Sequence, residues 1–375
     1  MSLKRACLAK SRLGAGISVS AWDSREAQDR FGTKRRLGTF GSNFFKGLRG
    51  SVALPALGWA LLASPMPATS LAKGTAAASH DTDTAIWRAQ HGLLLGIARA
   101  GTRIVAVGAG GHVLLSDDEG TTWRLAKTSA TDELLTSVVF ATPKEGWSVG
   151  QDETIAHSTD AGETWTRQYI KADADQVLFT IISLAPGHLF ASGSYDLILE
   201  TQDGTTWKES KIPNLDDDYH LNCAVNRGDD ILVTGEAGHA FIRYAGAWTP
   251  MKLPYDGSQF ACLLGPDGSF YSFGLRGTAF KAESGAKTWT KIESGTQRSF
   301  FGAANLTSGQ MALVGGNGLV ELLDPKTGKM TVLPSPTGAT LSGVIEAKDG
   351  KLIIVGDDGV HLVDPAVTVD AGVGQ

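Results

Sequence analysis

Two carboxylates stand in matching frames. Ser116-Asp117-Asp118-Glu119-Gly120-Thr121-Thr122-Trp123 and Ser158-Thr159-Asp160-Ala161-Gly162-Glu163-Thr164-Trp165 both fit Ser-x-Asp-x-Gly-x-Thr-Trp, 42 residues apart. Asp118 and Asp160 could therefore form the acidic pair that general acid–base chemistry requires. The frame argues for another role. An Asp in a tight turn accepts backbone N–H bonds, a Gly two positions on supplies φ > 0, and a closing Trp is a large apolar anchor. Ser116, Asp118, Gly120 and Trp123, like Ser158, Asp160, Gly162 and Trp165, are read as structural.

The other reactive residues give no closed constellation. Asp216-Asp217-Asp218 lacks the spacing and turn Gly of a calcium loop. His112, His157, His188, His220, His239 and His361 show no ligand spacing. Gly108–His112 and Gly315–Leu319 are glycine-rich, but no helix follows them to cradle a phosphate. No cofactor and no metal are expected. A sialidase-type centre needs three convergent arginines beside a Tyr/Glu nucleophile pair. Only Arg276 and Arg298 fall where they could converge. A glycosidase built on two carboxylates stays open as the alternative, because acidic loop residues are plentiful.

The elements that position these residues follow from a period. Trp123, Trp165, Trp207, Trp248 and Trp289 recur at 42, 42, 41 and 41 residues. A second marker keeps step: Gly108, Gly150, Gly193, Gly235, Gly274, Gly315 and Gly356 each end a short apolar run. Around each Gly lie alternating segments joined by polar turns, which read as four short antiparallel strands, a to d. Four-stranded units with a period near forty are propeller blades. The expected fold is an all-β, seven-bladed β-propeller over residues 84–366. Met330 fills the Trp position of blade six. Residues 84–90, with Trp87, are expected to supply the outer strand of blade seven and so close the ring. In blade three Gln202 stands at the Asp position of the turn. Cys223 and Cys262 occupy equivalent places in adjacent units, either as a disulfide or as two small buried apolar residues.

The Ser-x-Asp-x-Gly-x-Thr-Trp turn is the Asp box, or BNR repeat. The cadence of Gly146–Gly150 followed by Ser158–Arg167, repeated through residues 84–365, resembles the photosystem II stability/assembly factor family. That resemblance implies an exported, non-enzymatic seven-bladed propeller that assists assembly of a membrane complex through protein contacts. Relatives of this architecture also occur in non-photosynthetic bacteria, sometimes beside transporter genes.

In such a ring the b–c turns and d–a loops share one face, opposite the Asp boxes. That face would carry Asp152, Tyr195, Asp196, Glu236, Arg276 and Asp357 on b–c turns. Asp217, Tyr219, Phe260, Arg298 and Phe300 would come from d–a loops. It reads as an acidic docking surface with aromatic anchors for a basic or amphipathic segment of a protein partner, a membrane protein or complex. Residues 1–72 hold 11 of the 34 Lys/Arg and 3 of the 39 Asp/Glu, which leaves 23 and 36, a net charge of −13, for the rest. That balance excludes a nucleic-acid partner, which needs a basic surface. The folded part is expected to act as a monomer.

Lys46 and Arg49, the apolar run 51–63 and Ser70-Leu71-Ala72 read as a secretory signal cut after Ala72, with no Cys at the cut for a lipid anchor. The apolar run is too short to span a bilayer. Residues 1–44 are either an upstream extension from a mis-assigned start or a long leader containing Lys34-Arg35-Arg36. Residues 73–83 read as a linker and 367–375 as a tail. The protein is therefore expected outside the cytoplasm, in the periplasm. N-terminal sequencing of the exported protein should begin at Lys73; a product that retains residues 51–63 would contradict a cleaved signal.

Overall fold

The computed structural model describes residues 75–169, 171, 174–215, 217–285 and 287–366. The leader 1–72, the tail 367–375, Cys7 and Asp216 lie outside the described residues. So does the start of the 73–83 linker.

Seven antiparallel sheets follow one another around a ring. Blade one consists of strands a to d at Leu94–Ala100, Arg103–Gly108, Val113–Ser116 and Arg124–Leu125. Blade two has Leu135–Phe140, Gly146–Gly150, Ile155–Ser158 and Thr166–Tyr169. Blades three to six repeat the order over 178–210, 221–250, 259–292 and 300–332. Blade seven has three strands, Leu341–Glu346, Leu352–Gly356 and Gly359–Val363.

The marker glycines are required by crowding, not by dihedral angle. At each of the seven, a Cβ would overlap the carbonyl oxygen of the residue preceding strand a: Leu93, Leu134, Val177, His220, Ser258, Ser299 and Thr340 in turn. Directly after this contact every a strand slips register against strand b by one residue. The extra residues are Leu95, Thr136, Phe179, Asn222, Phe260, Phe301 and Ser342. A bulge bends its strand and re-aims its extra side chain. Three of these side chains clip their blade to the next. Thr136 Oγ1 donates to Leu178 O (2.5 Å), Asn222 Nδ2 to Gln259 O (3.0 Å) and Ser342 Oγ to Leu94 O (2.6 Å).

The last of these clips joins blade seven to blade one, so the ring closes by the joint used elsewhere. The expected closing strand is not formed. Residues 84–90 belong to a helix, α1 (Thr75–Gln90), and Trp87 is 60% exposed. The run from Ala76 to Ala89 is rich in Ala and lacks β-branched periodicity, which favours helix over strand. The segment nevertheless reaches the expected place. Ala89 is buried with Leu94, Leu114 and Val355 at the junction of blades seven and one, and Gln90 Nε2 donates to Trp123 O (3.1 Å). Among the described residues, no helix is long and apolar enough to cross a membrane.

The Ser-x-Asp-x-Gly-x-Thr-Trp turns are closed hydrogen-bond units. Ser116 Oγ donates to Asp118 Oδ1 (2.9 Å) and accepts from Gly120 N (2.8 Å). Asp118 also accepts from Thr122 N (2.8 Å) and Thr122 Oγ1 (2.6 Å). Trp123 Nε1 donates to Gly120 O (3.0 Å). Ser158, Asp160, Gly162, Thr164 and Trp165 repeat each of these bonds. Blade three corrects the sequence reading. Its carboxylate is Asp203, not Gln202 at the aligned place. Asp203 accepts from Thr201 Oγ1, Thr205 N and Thr206 N. The turn is one residue shorter than in blades one and two, so the acid stands directly before Gly204.

On this face and along the outer strands, polar side chains latch neighbouring blades. Glu163 of blade two accepts from Arg103 (3.0 Å) and Arg124 (2.6 Å) of blade one. Glu200 of blade three binds Arg243 of blade four (2.8 Å), and Arg227 reaches Gly268 O and Ser284 Oγ from blade four to five. Asn305 of blade six donates to Leu264 O (2.9 Å). Glu346 of blade seven accepts from Thr307 N (2.7 Å). Glu119 takes Arg99 (2.6 Å) and the backbone N–H of Lys348 (3.1 Å) at the seven–one junction, and the Arg99 guanidinium holds its carboxyl down to about 2. Cys223 and Cys262 are joined as a disulfide between inner strands of blades four and five, with Cα atoms 5.9 Å apart.

One core position breaks the pattern. In strand c, Leu114, Leu199, Phe241 and Phe280 are buried apolar residues packed between blades. The equivalent in blade six is Glu321, fully buried, with neither carboxylate oxygen hydrogen-bonded. Burial pushes its carboxyl up to about 7, opposed by the charge of Arg298. The folded chain thus holds this proton more tightly than the unfolded chain, whose value is near 4.5. The cost is absent below that value and grows as pH rises through about 7. Replacing Glu321 by Leu should raise the melting temperature at pH 8 by at least ~2 °C, with a smaller gain at pH 5. Equal shifts at both pH values in differential scanning fluorimetry would contradict this origin.

Candidate functional site

The face opposite those turns is built from the b–c turns and the bulges. Two residues past the marker glycine, the backbone is left-handed in blades one to six: Gly110, Asp152, Tyr195, Ala237, Arg276 and Asn317 have φ of 64, 53, 54, 53, 56 and 53°. Only blade one uses glycine there. A non-glycine residue in this region costs of order 1–3 kcal/mol. The next residue is also left-handed. It is Gly111, Gly238, Gly277 and Gly318 in four blades, where a Cβ would overlap a carbonyl of the following d–a loop. Blades two and three place Glu153 (φ 50°) and Asp196 (φ 59°) at this crowded point, and both are buried.

The bulges contribute the floor. Leu95, Phe179, Phe260 and Phe301 are half-buried at the point where the inner strands begin. Phe260 and Phe301, from blades five and six, lie 5.2 Å apart. Phe300 is not part of this surface. It precedes the slip, pairs with Gly315, is fully buried and meets Phe273 edge-on at 6.1 Å. The bulge turns Phe301 outward in its place.

The largest group of site residues gathers between blades three and four. Tyr195 N donates to His220 Nδ1 (3.2 Å), and the two rings meet edge-on at 4.8 Å. Phe179 meets the same imidazole at 5.8 Å. Tyr219 stacks on His239 with centroids 3.8 Å apart. Asp196 N donates to Tyr219 O (2.9 Å), and Asp196 Oδ1 accepts from Tyr219 N (3.0 Å). Glu236 Oε1 accepts from His220 N (3.1 Å). Burial lowers the pKa of His220, so its ring is neutral, with Nδ1 as acceptor. Burial raises Asp196 to about 6, assisted by the charges of Asp218 and Asp217 and opposed by the Tyr219 N–H bond.

Of the residues expected on this face, Tyr195, Asp196, Tyr219 and Glu236 are brought into contact, and Asp217 stands exposed beside them. Arg276 and Arg298 lie on the turn of blade five and the loop into blade six, the two blades whose bulges carry Phe260 and Phe301. Arg276 N donates to Ser299 Oγ (3.2 Å), and Arg298 reaches Asn317 O (3.4 Å). The face is therefore divided, acidic and aromatic over blades two to four and cationic over five and six. Asp152 and Asp357 stand apart on the turns of blades two and seven; Asp152 O accepts from Arg167 (3.2 Å), and Asp357 N donates to Thr340 O (2.9 Å). Phe179 and His239 join the site unannounced, and Phe301 takes the place expected of Phe300. Their signal was available, because the second residue of strand a aligns Phe179, Phe260 and Phe301 with one another.

The paired carboxylates of the box turns, on the other face, are committed to their own turns. Hydrogen bonds from Thr122 hold the Asp118 carboxyl below the usual carboxylate range. Both of its oxygens and both of those of Asp160 accept hydrogen bonds within their own turns. Such ionised, fully engaged carboxylates are poor proton donors. Among the described residues no group of three or more His, Cys, Asp or Glu is arranged to hold a metal.

No family model matches the chain. It is 29% identical over 108 residues to the photosystem II assembly lipoprotein Ycf48 of Synechococcus sp. (strain CC9902), over 28% of this chain and 32% of that protein. The chain thus spans about a third of that relative's length. In structure it is similar to YCF48 bound to a D1 peptide, with 17% identity and a TM-score of 0.62 over 75% of this chain and 95% of that one. It is also similar to streptogramin B lyase, with 12% identity and a TM-score of 0.64 over 73% and 94%. At these identities the structural likeness concerns the fold. Sequence and fold both resemble the photosystem II assembly factor-like propellers.

Neighbouring turn positions separate fold from function. Arg276→Gly should leave stability unchanged or raise it by up to ~1 kcal/mol, because φ of 56° suits glycine. Gly277→Ala should cost ~1–3 kcal/mol, because its Cβ would strike Thr296 O. Urea denaturation of the two variants checks the pair; a marked loss for Arg276→Gly would mean that the arginine serves the fold.

Proposed function

We propose that this protein is an exported, non-catalytic propeller that binds a protein partner on the face of its b–c turns and d–a loops. In this reading it assists the assembly or stability of a membrane complex. The observation that carries the reading is the uneven use of polar groups. At the box face and outer strands they are committed to joints between blades, whereas the opposite face carries half-buried aromatic rings beside exposed acidic groups. Aromatic residues in a desolvated centre are the usual anchors of protein interfaces.

The resemblance to Ycf48 suggests the complex. A photosystem II assembly role, with a D1-like peptide as the bound segment, is the first candidate. In a non-photosynthetic cell the corresponding partner would be another membrane assembly, such as a transporter. Export to the periplasm follows from the leader's signal-like pattern. The second reading is an enzyme acting at the same mouth, for which the lyase supplies a precedent of fold. It is disfavoured by the arginine placement. Arg99, Arg103, Arg124, Arg227 and Arg243 are engaged at blade joints, so no three-arginine clamp forms among the described residues.

Affinity capture of the mature protein from detergent-solubilised membranes tests the proposal. A membrane protein should co-purify with wild type and with the opposite-face variant Asp349→Asn, but be lost with Tyr219→Ala and Phe301→Ser. Failure to recover a membrane partner, together with turnover of a glycan panel, would overturn it in favour of the enzyme.

A further inference from the structure

The joint between blades four and five differs from the other joints of the ring. In each blade the first residue of strand a past the register slip is threonine or smaller: Gly96, Ser137, Thr180, Cys223, Ala261, Gly302 and Gly343 in turn. Where a contact fixes its direction, it points at the inner strand of the next blade. A Cβ on Gly96 would lie 3.0 Å from Ser137 Cα, and one on Gly302 would lie 2.6 Å from Ser342 O. The second residue past the slip faces the blade before. Ile181 N donates to Ser137 Oγ (3.4 Å), and Ile97 Cγ2 would lie 3.2 Å from a Cβ on Gly343. Cys223 is a first residue and Cys262 a second one, so they face each other across the joint. They are bonded, with Cα atoms 5.9 Å apart. Among the described residues this is the one covalent joint between blades.

The bond lies beside the boundary at which the mouth face changes character. Strand a of blade four begins at Leu221, directly after His220, whose ring accepts from Tyr195 N (3.2 Å) and meets Phe179 at 5.8 Å. Strand a of blade five begins at Gln259, followed by the bulged Phe260, which lies 5.2 Å from Phe301. Asn222 donates to Gln259 O (3.0 Å), and the disulfide starts one residue further on. Residues 220–223 therefore carry, in order, an aromatic wall of one half, the start of the inner strand, a clip to the other half and a half-cystine. The spacing of His220 and Phe260 is set by the spacing of these two inner strands. One neutral hydrogen bond holds that spacing weakly, whereas a disulfide fixes it to within the reach of a Cys–Cys pair. Cys223 is half-buried and Cys262 is buried, so exchange reaches the bond from the Cys223 sulfur.

We infer that the Cys223–Cys262 bond holds the two halves of the mouth in register, so that the docking face is complete only in the oxidised protein. The inference rests on the proposed docking role and adds a redox condition to it. Forming the bond from two thiols releases two protons and two electrons. A disulfide-bearing oxidoreductase of an oxidising compartment takes them up: one cysteine thiolate attacks its disulfide, the second cysteine resolves the mixed disulfide, and the oxidoreductase leaves as a dithiol. A dithiol reductant reverses both exchanges. Thiol oxidation of this class therefore precedes partner binding.

The test uses the mature protein in three forms: oxidised as isolated; reduced with dithiothreitol, alkylated with iodoacetamide and desalted; and the double variant C223S/C262S. In the first form Cys223 and Cys262 should resist maleimide labelling until dithiothreitol is added. Amide hydrogen exchange in Leu221–Arg227 and Gln259–Leu264 should be about fivefold or more faster in the other two forms, with Leu135–Phe140 unchanged as the sign of an intact ring. Capture of a membrane protein from detergent-solubilised membranes of its source should be about tenfold weaker with those two forms. Alkylation before mixing leaves the partner's own disulfides untouched, and the serine pair breaks the bond without added bulk. Undiminished capture by either form, or two labelled thiols in the protein as isolated, would overturn the inference. So would loss of capture with exchange in the two strands unchanged. If the oxidised form captures no partner, the docking role falls, and the exchange rates still decide whether the bond holds the two strands together.

Discussion

The structure depends on seven close approaches of backbone to backbone. Where strand b of each blade ends, its glycine lies so near the carbonyl that precedes strand a that no Cβ fits between them. The approach brings the chain into the inner ring at a fixed height in every blade. It is followed at once by the one-residue slip between strands a and b. From the slip come the clips of Thr136, Asn222 and Ser342 to their neighbours, and the outward turn of Phe179, Phe260 and Phe301. Blade joint and aromatic mouth are thus alternative uses of one backbone device. A polar residue at the slip ties blades together, and an aromatic one furnishes the mouth.

The two ends of the ring are consequently unlike. At the box end, Asp118, Asp160 and Asp203 satisfy their own turns, while Glu119, Glu163 and Glu346 fasten blade to blade. Partly buried, multiply bonded carboxylates of this type stabilise a joint more than an isolated surface pair does. At the other end, tyrosine, aspartate and arginine occupy left-handed turns that glycine would fill at lower cost. Left-handed non-glycine residues also stand in the box turns, at Glu119 and Ala161, so what distinguishes the other end is the identity of its side chains, Tyr195 and Arg276 among them.

Repetition made the architecture legible, and departures from repetition were the parts that escaped. The tryptophan and glycine periods carried the blade count because each marks a site with one steric solution. The d strand assigned to residues 84–90 failed because position was inferred from the period, whereas conformation followed local composition; the segment arrives at the right junction as a helix. Asp203 was missed because a one-residue deletion shifts it out of register with Asp118 and Asp160. Phe300 was preferred to Phe301 because alternation along a strand cannot reveal a bulge, which inverts the facing of every residue before it. The cysteine positions left two readings open until the inner strands of blades four and five were seen to be linked. Glu321 had no signal at all. Its neighbours in the strand are Leu and Val, and the comparison with Leu114, Leu199, Phe241 and Phe280 exposes it as a fully buried charged group at a mostly apolar place, which half-buried His361 takes in blade seven.

The central claim is that one end of the ring maintains the fold and the other binds. Hydroxyl-radical footprinting of the mature protein, alone and with detergent-solubilised membranes from its source, addresses it directly. The account predicts that oxidation of Tyr195, Tyr219, Phe260 and Phe301 falls when membranes are added, while Trp123 and Trp165 are unchanged. Protection centred on the turns at 116–123 and 158–165, with the opposite face unaffected, would contradict it.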